Sequence, residues 1–320
     1  LLNLKIKNIK IYAFRYSKNN GEINNNLEYL EKIDIIKKYQ ITIISSIEDI
    51  KSIKPNVTFI CNPPSKHISS ALKAALLGSH IFIEKPISNN LRGLKQLQKI
   101  KKRKNLKIFV GYQFRFHPLI IKLKKLLREN KIGKILSAKI IVAESLKTIH
   151  KYEDYRISYR SNKNLGGGVV LSQSHEIDYI LWLFGSPNIV SGIGGKRSNF
   201  DIDVEDYANI NLIYNKNKKL FNINIYMDFI QSPPQRTCTV FGTKGTIELN
   251  LLKNQLKYQK NYSKEKIYKL KNFERNFLFK KELKSFLNSI KKNSNAKIDL
   301  NDGIQTLKLI LQIKKCFGNF

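Results

Sequence analysis

Two short segments of this 320-residue chain combine residue types that hold charge and move protons: Glu84-Lys85-Pro86, and the run from Gly166-Gly167-Gly168 to Tyr179 that contains His175. A histidine titrating near neutrality suits general acid–base work, and a lysine ammonium can stabilise a developing alkoxide or relay its proton. On a helix led by the glycines, His175, Asp178, Tyr179 and Trp182 share one face at i, i+3, i+4 and i+7, so Asp178 can orient the imidazole. A buried histidine merely satisfied by that aspartate is the competing reading. His175-Glu176-Ile177-Asp178-Tyr179 has the outline of a zinc-binding HExxH helix, but tyrosine stands where the second histidine belongs, and no metal site is expected. Lys85 precedes a proline, which disfavours the α region for its backbone and permits a cis bond, leaving the side chain free to enter a crevice. Asn62-Pro63-Pro64-Ser65-Lys66-His67 is a third candidate loop, although two prolines also punctuate ordinary turns.

These segments need elements to position them. Stretches 9–14, 41–44, 57–61, 81–83 and 108–110 are short, β-branched and apolar, the pattern of strands buried on both faces of a parallel sheet. Between the third and fourth, Ile68, Ala71, Leu72, Ala75 and Leu76 recur with helical period and Gly78 stands at the C-cap, which makes a βαβ unit. The Asn62 loop and Glu84-Lys85-Pro86 therefore fall at the carboxyl edge of the sheet, where open α/β folds bind ligands. After Pro118 the pattern changes to helices at 119–127 and 168–184 and strands at 135–142, 204–213, 219–228, 236–241 and 246–249, an α+β unit with a mostly antiparallel sheet. Amphipathic helices at 277–290 and 303–316 close the chain. The expected fold class is α/β: a Rossmann-like domain over 1–117, an α+β substrate and oligomerisation domain over 118–300, and a C-terminal helix at 301–320 packing back on the first domain.

Composition narrows the partners. The formal charge of +34 points on its own to a polyanion such as nucleic acid. However, 48 lysines against 10 arginines, with 33 asparagines and many isoleucines, is the residue usage of an A/T-rich gene, and the lysines are scattered rather than forked for phosphate. The run Lys101-Lys102-Arg103-Lys104 reads as a solvated helix end, and no nucleic acid is expected. Cys61, Cys238 and Cys316 form no CxxC pair, so neither a disulfide framework nor a thiolate metal site is encoded. No stretch reaches the roughly 18 apolar residues of a membrane span, nor does the start resemble a signal peptide; a cytoplasmic setting is expected.

Taken in order, Asn62-Pro63-Pro64-Ser65-Lys66-His67, Glu84-Lys85-Pro86, Gly111-Tyr112-Gln113-Phe114-Arg115-Phe116 and the Gly166–Asp178 region resemble the motifs of the glucose-fructose oxidoreductase / inositol dehydrogenase (Gfo/Idh/MocA) family of nicotinamide-dependent sugar dehydrogenases. Arg236 and Gly242–Gly245 fit the family's sheet. The resemblance implies hydride transfer between NAD(P) and a secondary alcohol of a sugar or nucleotide-sugar, with His175 as base and Lys85 on the alkoxide. Asn62, Pro63, Pro64, His67, Glu84, Lys85 and Gln113 would line the nicotinamide and ribose. Arg15 and Ser17 replace the expected ribose-binding acid and tilt the choice toward NADP. Arg115, Arg156, Asp178 and Tyr179 are the expected substrate contacts, Arg156 lying in a polar segment that also reads as a surface loop. Ser172 stands where many members carry an acid. The family's first strand and glycine-rich phosphate loop are expected ahead of Leu1, and without them weak cofactor binding and poor solubility are expected. A homo-oligomer through the second-domain sheet is the expected assembly. The alternatives are an impaired member that binds a ligand or partner and, from charge alone, a nucleic-acid binder.

Overall fold

The structure is a computed structural model and describes residues 9–14, 21–24, 28–150, 152–216 and 219–318. The expected parallel sheet is present in two hydrogen-bonded pieces. Strand β1 (Ile11–Phe14) pairs with β2 (Ile41–Ile44), and β3 (Val57–Ile60), β4 (His80–Ile83) and β5 (Ile108–Val110) form the second piece in that order. Short helices Ile35–Lys38 and Ile47–Ile53 flank β2, the second closed by a capping box between Ser46 and Asp49.

Helix α1 (His67–Leu76) joins β3 to β4, and Gly78, at φ +83°, turns the chain back toward the sheet. Helix α2 (Leu94–Arg103) buries Leu94, Leu97 and Ile100; in the basic run Lys102, Arg103 and Lys104 are exposed, while Lys101 is half-buried and pairs with Asp299 at 3.6 Å. Phe82 of β4 and Phe109 of β5 stack at 5.3 Å, and Phe286 meets both rings at 5.8 Å. Each such ring contributes about 1.5–3 kcal/mol through burial.

The second half opens with α3 (Pro118–Arg128), where Leu119 N donates to His117 Nδ1 at 3.2 Å and the N1 residue is proline. Strand β6 (Ile135–Ala143) follows, then a run of 3₁₀ turns, then α4 (Ser174–Phe184). The helix expected over 168–184 is broken: Val169–Ser172 makes one turn, Gln173 departs from helical geometry at ψ 31°, and α4 begins afresh.

Strands β7 (Ile189–Gly195), β8 (Tyr207–Lys216), β9 (Lys219–Asp228), β10 (Gln235–Gly242), β11 (Gly245–Asn250), β12 (Gln255–Lys260) and β13 (Lys266–Lys269) complete an eight-stranded sheet in the order β13-β12-β11-β10-β6-β9-β8-β7. Every pairing is antiparallel except β6 with β9. The stacked pair Tyr214 and Phe221, at 4.6 Å, locks the β8–β9 register. Helix α5 (Asn276–Lys291) carries Phe286 against the first sheet, and α6 (Leu300–Lys315) begins beside β5, where Val110 N donates to Ile298 O at 3.2 Å. A Cβ on Gly303 would lie 2.8 Å from Val110, which explains the glycine in a helix. Among the described residues no helix is long and apolar enough to cross a membrane, and no cluster of three or more His, Cys, Asp or Glu side chains could hold a metal ion.

Candidate active site

Three loops meet at the carboxyl edge of β3-β4-β5. The first is Asn62-Pro63-Pro64, after β3. The second is Glu84-Lys85-Pro86, after β4, with a cis bond between Lys85 and Pro86. The third, Gly166-Gly167-Gly168, comes from the other half of the chain. A Cβ on Gly166 would sit 3.0 Å from Pro64 and from Asn89, and one on Gly167 would meet the carbonyl oxygens of Tyr159 and Arg160 at 2.5 Å. Only glycine lets these loops approach so closely, and Gly166 and Gly168 also have φ of +88° and +102°. Lys85 Nζ donates to the Ser172 carbonyl at 2.7 Å, tying the Glu-Lys-Pro loop to the histidine helix.

His175 is buried and makes no hydrogen bond with any described residue, and its Nδ1 has no polar partner. Its ring stacks on Phe114 at 4.5 Å, and the Arg236 guanidinium lies 4.6 Å over the same phenyl ring. Burial first, then the charges of Lys85, Arg236 and Arg275, holds the His175 imidazole well below its ordinary range, so it is a neutral proton acceptor. Burial likewise lowers the Lys85 ammonium and raises the Glu84 carboxyl. The Tyr159 phenol is lowered, because Lys85 and Arg160 outweigh the burial that opposes them. Arg236 is itself neutralised by a bidentate pair with buried Glu176, at 2.9 Å for both bonds.

Asn62 Oδ1 and Ser65 Oγ are also buried without hydrogen-bond partners, beside the loop that holds Lys85. Buried polar atoms are rarely left unpaired, and Asn62 Oδ1 and Ser65 Oγ, on the loop after β3, suit a polar ligand at the sheet's carboxyl edge. Gln113 lies half-buried in the turn after β5.

Other expected contacts fall elsewhere. His67 faces two backbone carbonyls, Pro86 O at 2.8 Å from Nδ1 and Asn62 O at 2.6 Å from Nε2, so its ring clamps two loops together and offers a cofactor nothing. Arg115 and Asp178 are a buried bidentate pair at 2.7 and 2.9 Å, and Arg115 continues to Asp302 at 2.8 Å. They are a strut joining the turn after β5 to α4 and α6. Asp178 does not orient His175, since Arg115 outcompetes a neutral imidazole for a buried carboxylate. Burial pushes Asp178 up to about 6 against the pull of Arg115. Tyr179 is buried against Cys238. Arg156 is exposed and paired with Asp154, two residues away, as a surface-loop residue would be. Arg15 and Ser17 lie outside the described residues. The sequence analysis gives Phe114 no role beyond its place in the Gly111–Phe116 motif, because its stack on His175 joins residues 61 positions apart.

Residues 18–112 match the model described as an oxidoreductase family, NAD-binding Rossmann fold, and residues 124–315 match that family's C-terminal alpha/beta domain. Oxidoreductase P35 of Formosa agariphila is 28% identical over 212 residues, 64% of this chain and 63% of that protein. The chain spans under two thirds of the length of the first curated relatives it matches. Levoglucosan dehydrogenase in complex with NADH and levoglucosan superposes with a TM-score of 0.77 at 18% identity, covering 96% of this chain and 88% of that one. The WlbA dehydrogenase of Bordetella pertussis, in complex with NADH and UDP-GlcNAcA, gives 0.71 at 19% identity, covering 88% and 83%. The paired domain matches, together with the order of the motifs along the chain, show that this protein belongs to the Gfo/Idh/MocA oxidoreductase family.

Proposed function

We propose that this protein transfers a hydride between a nicotinamide cofactor and a secondary alcohol of a sugar or nucleotide-sugar, with His175 and Lys85 handling the proton. The observation that carries the reading is the 2.7 Å bond from Lys85 Nζ to Ser172 O, which unites the two proton-handling segments at the sheet's carboxyl edge. The nicotinamide, when bound, supplies the hydride acceptor or donor. Taking a hydride from carbon requires the hydroxyl proton to leave as well. His175, neutral and without a hydrogen-bond partner, accepts that proton, and the Lys85 ammonium stabilises the alkoxide as it forms. Asn62, Pro63, Pro64, Glu84 and Gln113 face the cofactor. Arg236 and Phe114 hold the imidazole in place from the far side of its stack.

The assembly we infer is a homo-oligomer formed through the eight-stranded sheet, which leaves Leu136, Ile189, Ile193, Leu220 and Phe241 exposed; sedimentation of the purified chain tests it. Absorbance at the reduced-nicotinamide band, followed with NAD and with NADP over a panel of sugars, tests the reaction. Turnover that requires Lys85 and His175 is the expected result, and no reduction of either cofactor by any sugar overturns the reading.

A further inference from the structure

The glycine turn that launches the histidine segment is braced by a residue that the proposed chemistry does not use. Val169 N donates to the backbone carbonyl of Glu205 at 2.9 Å, and a Cβ on Gly168 would collide with both carboxylate oxygens of Glu205. The carboxylate therefore rests against the bare Cα of Gly168, in the space that any other side chain at 168 would need. Lys314, at the end of α6, donates to both of those oxygens, at 2.9 and 2.8 Å. The Glu205 side chain is only 10% exposed, which separates this pair from the loose ion pairs of the surface. The backbone beneath Glu205 is fixed as well, since the next residue, Asp206, is fully buried and accepts from Arg197 N at 2.7 Å and Ser198 N at 3.0 Å. On its other side the turn is held by Gly168 N, which donates to Arg160 O at 3.0 Å.

The proton-handling groups hang from this clamped turn. Ser172 N donates to Gly168 O at 3.0 Å and Gln173 N to Val169 O at 2.9 Å, so Val169–Ser172 is one isolated turn of helix. A single turn does not hold its shape unaided, because fixing its dihedrals costs more than its few hydrogen bonds return. Its far end presents the Ser172 carbonyl to Lys85 Nζ at 2.7 Å, and the break at Gln173 separates it from the helix that carries His175. The packing of α4 therefore does not by itself aim the Ser172 carbonyl. Helix α6 is joined to both pieces. Asp302 and Thr306 hold Arg115 and Asp178 of the strut at 2.8 and 3.3 Å, and Lys314, twelve residues beyond Asp302 and so roughly 18 Å along the helix, holds the turn through Glu205.

We propose that Glu205, pinned by Lys314, is a positioning residue for the proton-handling pair: it fixes the turn whose Ser172 carbonyl aims the Lys85 ammonium. Its effect on turnover rests on the hydride-transfer reading, but its hold on Lys85 does not. Without Lys314 the carboxylate swings toward solvent, Gly168 loses its backing, and the Ser172 carbonyl no longer faces Lys85. A displacement of about 1 Å at such a group is enough to cost on the order of 10²-fold in rate.

Four variants test this: Glu205→Gln, which keeps the volume and the backbone carbonyl, Lys314→Met, Lys314→Arg, which keeps the charge, and Lys315→Met, an exposed neighbour on α6 that serves as control. Amide hydrogen exchange, read by mass spectrometry on peptides of the purified chain, should be at least about tenfold faster over 172–173 in Glu205→Gln and Lys314→Met, and unchanged over β6 and β9. Acetylation of Lys85 by limiting acetic anhydride should be faster in the same two variants, with Lys314→Arg and Lys315→Met close to native. In turnover with NAD or NADP, kcat should fall roughly 10–100-fold in Glu205→Gln and Lys314→Met, with KM altered less than about threefold and Lys314→Arg near native. Native exchange over 172–173 in both variants, exchange accelerated throughout the chain, or native kcat in an active enzyme overturns the proposal. If the native chain turns over no sugar, the redox reading fails and Lys85 labelling decides: faster acetylation in Glu205→Gln and Lys314→Met than in Lys315→Met upholds the brace, and equal rates end it.

Discussion

Replacing Asp178 by asparagine separates a structural strut from a catalytic helper. Fully buried, the carboxylate accepts Arg115 Nε at 2.9 Å, Arg115 Nη2 at 2.7 Å and Thr306 Oγ1 at 3.3 Å. An amide keeps the volume but not the charge, and Arg115 is left with Asp302, whose side chain is 33% exposed. Removing one partner of a buried ion pair costs about 3–5 kcal/mol, a large share of the roughly 5–15 kcal/mol that holds a protein folded. With a urea dependence of about 3 kcal/mol per molar, the unfolding midpoint should fall by about 1–1.7 M. Because Asp178 makes no bond to His175, kcat in water should change by less than about threefold. Far-ultraviolet circular dichroism in urea, run beside the turnover assay, measures both. An unchanged midpoint with kcat down a hundredfold refutes the strut. The double variant Arg115→Met/Asp178→Leu should recover much of the lost stability, since it leaves no orphaned charge.

Lys85→Ala and His175→Ala should each lower kcat by roughly 10²–10⁴-fold with the fold retained, and Ser172→Ala should cost less than either, since the Ser172 carbonyl, not its hydroxyl, receives Lys85. His117 caps α3 through Nδ1, and burial holds its ring at about 4. The unfolded chain takes up that proton below about 6.5 and the folded one does not, so stability falls by about 3 kcal/mol between pH 6.5 and 4. His117→Asn, which can still cap, should flatten that slope in urea titrations. Burial, with a contribution from Glu84, pushes Glu282 up to about 9. The folded state then binds the extra proton, and stability falls as pH rises from about 4.5 to 9. Glu282→Gln should remove that loss and raise stability at pH 8 by about 2–4 kcal/mol; a native-like pH slope in this variant would refute the assignment.

Much of this molecule is legible in its residues because its signals are local. Continuous apolar runs mark β3, β4 and β5, and short motifs at their ends locate the loops that carry Lys85 and Asn62. Strand β7 was hidden because Gly192 and Gly194 erase its pattern. Both are needed for close approach: a Cβ would meet Asn209 O at 2.7 Å and Phe317 at 2.6 Å. β12 was hidden by its lysines and glutamines. The roles of His67, Arg115 and Asp178 were misread for a common reason. Helical spacing shows which residues share a face, but the partner of a charged side chain is set by a residue far along the chain, here Asp302 or the Pro86 carbonyl.

Trp182 is the only tryptophan in the chain. The Lys124 ammonium lies 3.6 Å over its ring and the Arg115 guanidinium 6.0 Å from its centre. Excited beyond the red edge of tyrosine absorption, the protein therefore emits light from one place, the junction where the turn after β5 meets α3 and α4. Indole emission shifts in colour with the charges around the ring, so movement of Arg115 changes the spectrum before the fold is lost. The molecule carries its own optical probe of the strut, and a ligand that draws its two halves together announces itself there without any label.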